Sequence, residues 1–264
     1  MTDEYFQELK KTWESLGMED PFGAILNPNW DDHKVDEFFE TGEIEIREVM
    51  ILVESMEAQY PDVNVPRRLA LDFGCGVGRL TQALVCHFNE VHGVDISASM
   101  INRANEFNSY GDRCRYHLNE RDDLGLFPDN KFQFVYSNIT LMHMEPKYAR
   151  AYIRELLRVV EPGGLLIFQH LSEPKLDPED SENMRKVIKH LAKTTTPEIL
   201  LHWIRKMRYR RLRQETNEPV IEMYWMKRER GERLLKKFGG RILEVLEDRT
   251  EWPYWVSCRY CVTK

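Results

Sequence analysis

LALDFGCGVGRLTQAL, residues 69–84, runs an apolar segment directly into three glycines at alternate positions and then into a stretch with helical periodicity. Residues 67–73 read as a strand buried on both faces, apolar at Leu69, Ala70, Leu71 and Phe73. From Arg79 to Phe88 the residues Leu80, Ala83, Leu84 and Phe88 fall on one helical face. Gly74, Gly76 and Gly78 therefore occupy a strand-to-helix turn. In an open parallel sheet such a turn lets a ligand lie against bare backbone outside the carboxyl end of the strand. A dinucleotide fingerprint, Gly-x-Gly-x-x-Gly, would require glycine at 79, where this chain has Arg79.

Outward from this turn the pattern alternates between strand and helix. EVHGVD (90–95) reads as a second strand, followed by a helix over 97–107 and short strands at 115–118 and 132–137. A helix over 146–160, the turn Glu161-Pro162-Gly163-Gly164 and the strand 165–169 follow. RILEVLED (241–248) and YWVSCRYCVTK (254–264) read as two strands joined by a short loop. Strands separated by helices indicate a parallel sheet covered on both faces. The fold expected is thus α/β: a doubly wound, mostly parallel seven-stranded sheet ending in an antiparallel hairpin, with an inserted helical cap.

Composition sets limits. The chain has 264 residues, 42% hydrophobic and 31% charged, enough for one sizeable core. No window approaches the roughly 18–20 apolar residues of a membrane span, and MTDEYFQELK is acidic where a signal peptide is basic. The expectation is a soluble, cytoplasmic protein. Five scattered cysteines, at 75, 86, 114, 258 and 261, favour reduced buried thiols over disulfides or zinc, and no metal site is expected. The net charge of −7 conceals an acidic region at 1–62 and a basic one at 185–213.

The run DFGCGVGRLT, with an acid two residues before the first glycine, resembles the first motif of class I S-adenosylmethionine-dependent methyltransferases. GVDIS (93–97), NERDDLGLFPDNKFQFVYSNITLMHM (119–144) and LLRVVEPGGLLIFQ (156–169) resemble the later motifs in order and spacing. The resemblance covers roughly 65–170 and the final hairpin. It implies S-adenosyl-L-methionine as cofactor and S-adenosyl-L-homocysteine as product. It also implies cofactor-binding roles for Asp72, Gly74, Cys75, Gly76, Gly78, Asp95, Ile96, Met100 and Asn138. Asp95, about 20 residues beyond the first glycine, would accept the ribose hydroxyls, and Ile96 and Met100 would pack on the adenine. Where relatives often carry Gly-Asp beside the adenine edge this chain has Asn119-Glu120-Arg121, and Glu120 is the carboxylate expected there.

His143, in TLMHM after the fourth strand, and His170, closing the fifth, are the candidate catalytic bases, since a near-neutral histidine suits removal of a hydroxyl proton. The bland reading of His143 is a residue that caps or packs its loop. The resemblance implies the domain boundaries: an N-terminal helical lid or cap region at 1–64, the cofactor-binding core at 65–170, an inserted helical substrate cap at 171–230, and strands completing the sheet at 231–264. Trp30, Phe38 and Phe39 are candidates for closing over the cofactor, and Trp203, Tyr209, Tyr224 and Trp225 for lining the cap. The function expected is methylation of a small molecule, at oxygen. The runner-up is an RNA or other polyanion substrate, suggested by Arg205, Lys206, Arg208, Arg210, Arg211 and Arg213. A third reading is a non-catalytic partner of the same fold. Nucleic acid is the less favoured partner, and the sequence leaves the oligomeric state open.

Overall fold

The computed structural model describes residues 4–26, 34–175, 221–248 and 255–264. Its helices are α1 (Glu4–Glu19), α2 (Pro21–Ile25), α3 (Val35–Gln59), α4 (Arg79–Leu84), α5 (Ala98–Glu106), α6 (Pro146–Val159) and α7 (Arg228–Lys237). The strands are β1 (Leu69–Phe73), β2 (Glu90–Asp95), β3 (Cys114–Leu118), β4 (Phe132–Ser137), β5 (Val160–Pro174), β6 (Arg241–Asp248) and β7 (Trp255–Thr263). They form one seven-stranded sheet in the order β3-β2-β1-β4-β5-β7-β6. Pairing is parallel from β3 through β5, and β7 is antiparallel to both β5 and β6.

The two-residue repeat of the strands sorts side chains onto the two faces. Leu71, Phe73, Val135, Leu166 and Phe168 join one core with α6, Leu235 of α7 and Phe6 of α1. Ala70, Phe134, Tyr136, Leu165 and Ile167 join the other, against α3 and α4. Cys258 lies in the first core and Cys261 in the second, as their three-residue offset requires. All five thiols are free; four are buried, and Cys86, expected to be buried, is exposed. No described helix is long and apolar enough to cross a membrane.

Three details differ from the sequence reading. The Glu161–Gly164 turn is absorbed into β5 as an irregularity, its register against β4 shifting between Phe132 and Phe134, with Gly163 at φ +78°. The N-terminal region divides in two: α3 buries Ile46, Val49, Met50, Val53 and Met56 against the sheet as a structural layer, and α1 and α2 lie over the carboxyl ends of the strands. Each such fully buried aliphatic side chain on α3 contributes about 1.5–3 kcal/mol. Of the segment expected as a cap, 171–174 continue β5, 228–230 begin α7, and Trp203, Tyr209 and the basic run at 205–213 lie outside the described residues.

Strands β2 and β3 extend to one side of β1, and β4 and β5 to the other. The topological switch point falls between β1 and β4, where open α/β sheets form their ligand crevice.

Candidate functional site

A cleft opens at this switch point, with about 810 Å³ of empty space including its mouth, within the range of small-ligand sites. Its floor is the glycine turn. Gly74, Gly76 and Gly78 adopt φ of +79°, +52° and +87°, the left-handed region that favours glycine. A Cβ on Gly74 would overlap the Thr140 side chain, and one on Gly76 would lie 2.7 Å from Ile25 Cδ1. The closeness that demands glycine is therefore partly the protein's own. Gly74 and Gly76 line the cleft, whereas Gly78 faces Tyr116 and Cys75 is buried with its thiol toward the Gly76 carbonyl.

Four amide hydrogens of this turn, those of Gly74, Cys75, Gly76 and Gly78, are already engaged. Gly74 and Cys75 both donate to the Val94 carbonyl, at 2.8 and 3.1 Å, and Gly78 donates to Cys75 O at 2.9 Å. Gly76 donates to Asp95 Oδ2 at 2.9 Å. A phosphate cradle needs such N–H groups free. Together with the adjacent carboxylate, their engagement makes this a poor seat for an anion.

Asp95 ends β2 and is braced from two sides, since Oδ1 accepts the Ser97 N–H at 2.9 Å while Oδ2 takes Gly76. Burial raises its pKa, opposed by these backbone donors. A carboxylate has about four lone-pair sites, so capacity remains for a ligand hydroxyl beside the Gly76, Ser97 and Ile96 amides. Ile96 and Met100 line the same wall. Asp72 stands beneath the turn rather than in the cleft. Desolvation pushes its pKa up to about 7, against a 2.7 Å hydrogen bond from Thr81 Oγ1 and the nearby Arg79 charge.

Beyond β4 the chain crosses the cleft through Asn138, Ile139 and Thr140. Ile139 holds φ +55°, a strained conformation for a β-branched residue. Glu45 of α3 props this crossing, accepting from Asn138 Nδ2 at 2.7 Å, Tyr136 Oη at 2.8 Å and Arg79 at 2.8 Å. Asn138 Oδ1 is buried without a hydrogen-bond partner among the described residues. An orphaned acceptor in a cleft wall is suited to a bound donor.

His143 lines the cleft from the short turn Leu141–His143. Its pKa is lowered to about 4, chiefly by burial, with the Glu222 carbonyl opposing and His170 adding to the shift. The ring is therefore neutral near pH 7, and its burial makes it a weaker base than the near-neutral histidine expected from the sequence. His170 is close enough to affect it but is not among the lining residues: it is buried in β5, with Nδ1 bonded to Leu171 O at 2.9 Å.

Glu120, expected at the adenine edge, also lies outside the lining. It is exposed and pairs with Lys10 of α1, while the preceding residue, Asn119, faces the cleft. Side-chain alternation at the end of β3 explains the exchange. Asn119 is fixed by donating to Asp123 O at 2.9 Å and to Tyr152 Oη at 3.2 Å. Phe38 and Phe39, expected as a lid, pack in a side cluster with Phe22, Val77 and Met100, and Trp30 lies outside the described residues. The roof is instead α1 and α2, through Phe6, Leu9, Trp13, Ala24 and Ile25. The i, i+3, i+7 spacing of Phe6, Leu9 and Trp13 was a readable helical signal that a long-range partner was needed to interpret.

A sheet of this strand order, with one reversed strand and a glycine turn and acidic residue at the ends of β1 and β2, is the class I methyltransferase fold. Residues 70–164 match the methyltransferase-domain family model. The chain is 34% identical over 107 residues to 2-methyl-6-phytyl-1,4-hydroquinone methyltransferase of Synechocystis sp., covering 40% of this chain and 33% of that protein. It is 34% identical over 119 residues to demethylmenaquinone methyltransferase of Bacillus licheniformis, covering 43% and 50%. The chain thus spans between a third and a half of the length of these two relatives. Among solved structures, magnesium protoporphyrin IX methyltransferase from Synechocystis with bound SAH has a TM-score of 0.58 at 20% identity, covering 97% of this chain and 98% of that one. At that identity the likeness concerns the fold. Over residues 70–164 the chain is thus similar to methyltransferase domains, and its sheet has the class I S-adenosylmethionine-dependent methyltransferase fold.

Proposed function

We propose that the protein binds S-adenosyl-L-methionine in this cleft and methylates a small, largely apolar acceptor at oxygen, with His143 as the base. The observation that carries this reading is one cleft with a braced carboxylate and an amide-satisfied glycine turn on one side and a neutral histidine on another. Bound there, S-adenosyl-L-methionine would supply an electrophilic methyl group on a sulfonium, whose S–CH3 bond breaks on transfer to leave the neutral thioether S-adenosyl-L-homocysteine.

The residues suit such a guest. Asp95 has capacity left for a ribose hydroxyl, Ile96 and Met100 offer an apolar wall for the adenine, and Asn138 Oδ1 offers an unpaired acceptor to the methionine ammonium. Asp95 is the sole charged residue among the described lining residues, which favours a cation. Cys75, Gly78 and Asp72 act by shaping the turn. His143 takes the acceptor's hydroxyl proton as the oxygen bonds to the methyl carbon, and the apolar roof of Phe6, Leu9 and Trp13 excludes water and holds the reacting groups together. With no Lys or Arg among the described lining residues to pair with a phosphate or a free carboxylate, an uncharged acceptor is favoured. The hydroquinone and demethylmenaquinone named for two relatives are molecules of that kind.

The test is a turnover screen with S-adenosyl-L-methionine against phenols, hydroquinones, amines, phosphobases and bulk RNA, read as mass increase of the acceptor. Methylation of an uncharged hydroxyl compound is expected, falling by about a hundredfold in His143→Ala with cofactor affinity retained. Methyl incorporation into RNA alone, or turnover of His143→Ala close to wild type, overturns the reading.

A further inference from the structure

An imidazole can serve as a base only through the nitrogen that lacks a proton, and the proton's place is set by what the other nitrogen touches. His143 Nδ1 lies 3.2 Å from the main-chain oxygen of Glu222. A carbonyl only accepts, so in a neutral ring the proton resides on Nδ1 and the lone pair on Nε2. Nε2 has no hydrogen-bond partner among the described residues. The tautomer of the candidate base is thus decided by a residue 79 positions away.

Glu222 belongs to no helix or strand; it lies on the stretch by which the chain re-enters the core ahead of α7. Two backbone bonds sew that stretch down. Tyr224 N–H donates to Met142 O at 2.7 Å, in the turn that carries His143, and Met226 N–H donates to Leu171 O at 2.9 Å, near the end of β5. Tyr224 is buried, and its hydroxyl donates to the Glu222 carboxylate. The same hydroxyl meets that of Tyr5 on α1. Tyr5 in turn accepts the Glu145 N–H at 2.9 Å, makes a long 3.5 Å contact with the carbonyl of His143 itself, and stacks on Tyr148 at 5.4 Å. About two helical turns further along α1, Trp13 sets its ring edge-on to His143 at 5.4 Å and lines the cleft. The base is consequently gripped by its main chain, its Nδ1 and its ring face, from two segments distant in sequence, α1 and the stretch that carries Glu222 and Tyr224.

We propose that Tyr224 is a positioning residue for methyl transfer: through Glu222 it holds His143 as the Nδ1–H tautomer with Nε2 open to the acceptor, and through Tyr5 it ties that tautomer to the seating of α1 over the cleft. The proposal rests on the assignment of His143 as base, but its geometry can be read without turnover. For metal-ligating histidines, removing the partner that orients the ring typically costs about 10- to 100-fold, and a loss toward the lower end is expected for an oriented base. The tyrosine hydroxyls are the removable parts, since the carbonyl itself cannot be mutated.

The experiment uses the full chain labelled with ¹⁵N-histidine, the His143 ring signals being identified by their loss in His143→Gln. Wild type should show the Nδ1–H pattern. Tyr224→Phe and Glu222→Ala should move it toward the mixture of an unconstrained imidazole and lower kcat about tenfold, leaving S-adenosyl-L-homocysteine affinity unchanged. Glu222→Gln, which still accepts from Tyr224, should retain the wild-type pattern. Tyr5→Phe should shift it in the same direction by less, and it carries the same readout if Tyr224→Phe does not fold. An Nε2–H pattern in the wild type, or a ring pattern indifferent to Tyr224→Phe and Tyr5→Phe, overturns the proposal. The expected pattern in a protein that methylates nothing upholds the positioning and counts against the methyltransferase reading alone.

Discussion

Asp95→Asn offers the most direct test of the cleft's chemistry. The wild-type carboxylate spends one oxygen on Gly76 N–H and the other on Ser97 N–H, each at 2.9 Å, is also favoured in its charged form by the Ile96 N–H, and lines the cleft. An asparagine has one carbonyl oxygen and one NH₂, so one of the two backbone donors must face another donor. Hydrogen bonds to a charged group are worth about 1.5–3 kcal/mol, and an orphaned buried N–H costs about 1–3 kcal/mol. The ligand therefore loses at least about 1.5 kcal/mol, a weakening of about tenfold, and roughly a hundredfold if the glycine turn also relaxes. Because burial raises the pKa of Asp95, wild-type binding should also weaken as the pH falls and the carboxylate protonates. Calorimetric titration with S-adenosyl-L-homocysteine measures both effects. Melting measures the linked stabilisation of the wild type, about 2.7 kcal/mol at 100 times the dissociation constant, which NAD should not reproduce. A folded Asp95→Asn protein binding within threefold of wild type would refute the assignment of Asp95 to the ligand's hydroxyls.

Two further predictions concern the turn and acid stability. Gly74→Ala forces a side chain into φ +79° and against Thr140, which should cost at least about 1–2 kcal/mol and reduce cofactor binding; an unchanged urea midpoint would show that the turn relaxes freely. His143 and His170, both lowered to about 4 by burial, stay neutral in the folded protein while the unfolded chain protonates near 6.5, so each removes stability as the pH falls from 6.5 toward 4. Asp72, raised to about 7, acts oppositely over that window, because the folded state holds a proton the unfolded state has released. Two groups against one leave a net loss of about 1.4 kcal/mol per pH unit from these residues. His170→Gln should narrow the gap in melting temperature between pH 7.5 and pH 5, and an unchanged gap would contradict the buried neutral state of His170.

Much of the site was readable because its parts lie at the ends of consecutive strands. The glycines follow β1 and Asp95 ends β2, so strand periodicity alone carried them to one edge of the sheet, and the alternation of strand and helix carried the topology. Phe6, Leu9 and Trp13 showed an apolar helical face but nothing of what it would cover. Glu120 and Asn119 are adjacent in sequence and diverge by one side-chain alternation, a distinction that depends on where β3 stops pairing with β2.

The sequence by itself determined the layered sheet, the glycine turn and the carboxylate beside it, because those depend on local backbone preference and the two-residue repeat of a strand. Only the tertiary structure decided which helix roofs the cleft, that His143 faces it while His170 does not, and that Glu45 props Asn138. It alone placed the carbonyl of Glu222 against the base. Those contacts join residues scores of positions apart, and one of them is made by a main-chain oxygen that every residue possesses and no sequence pattern marks.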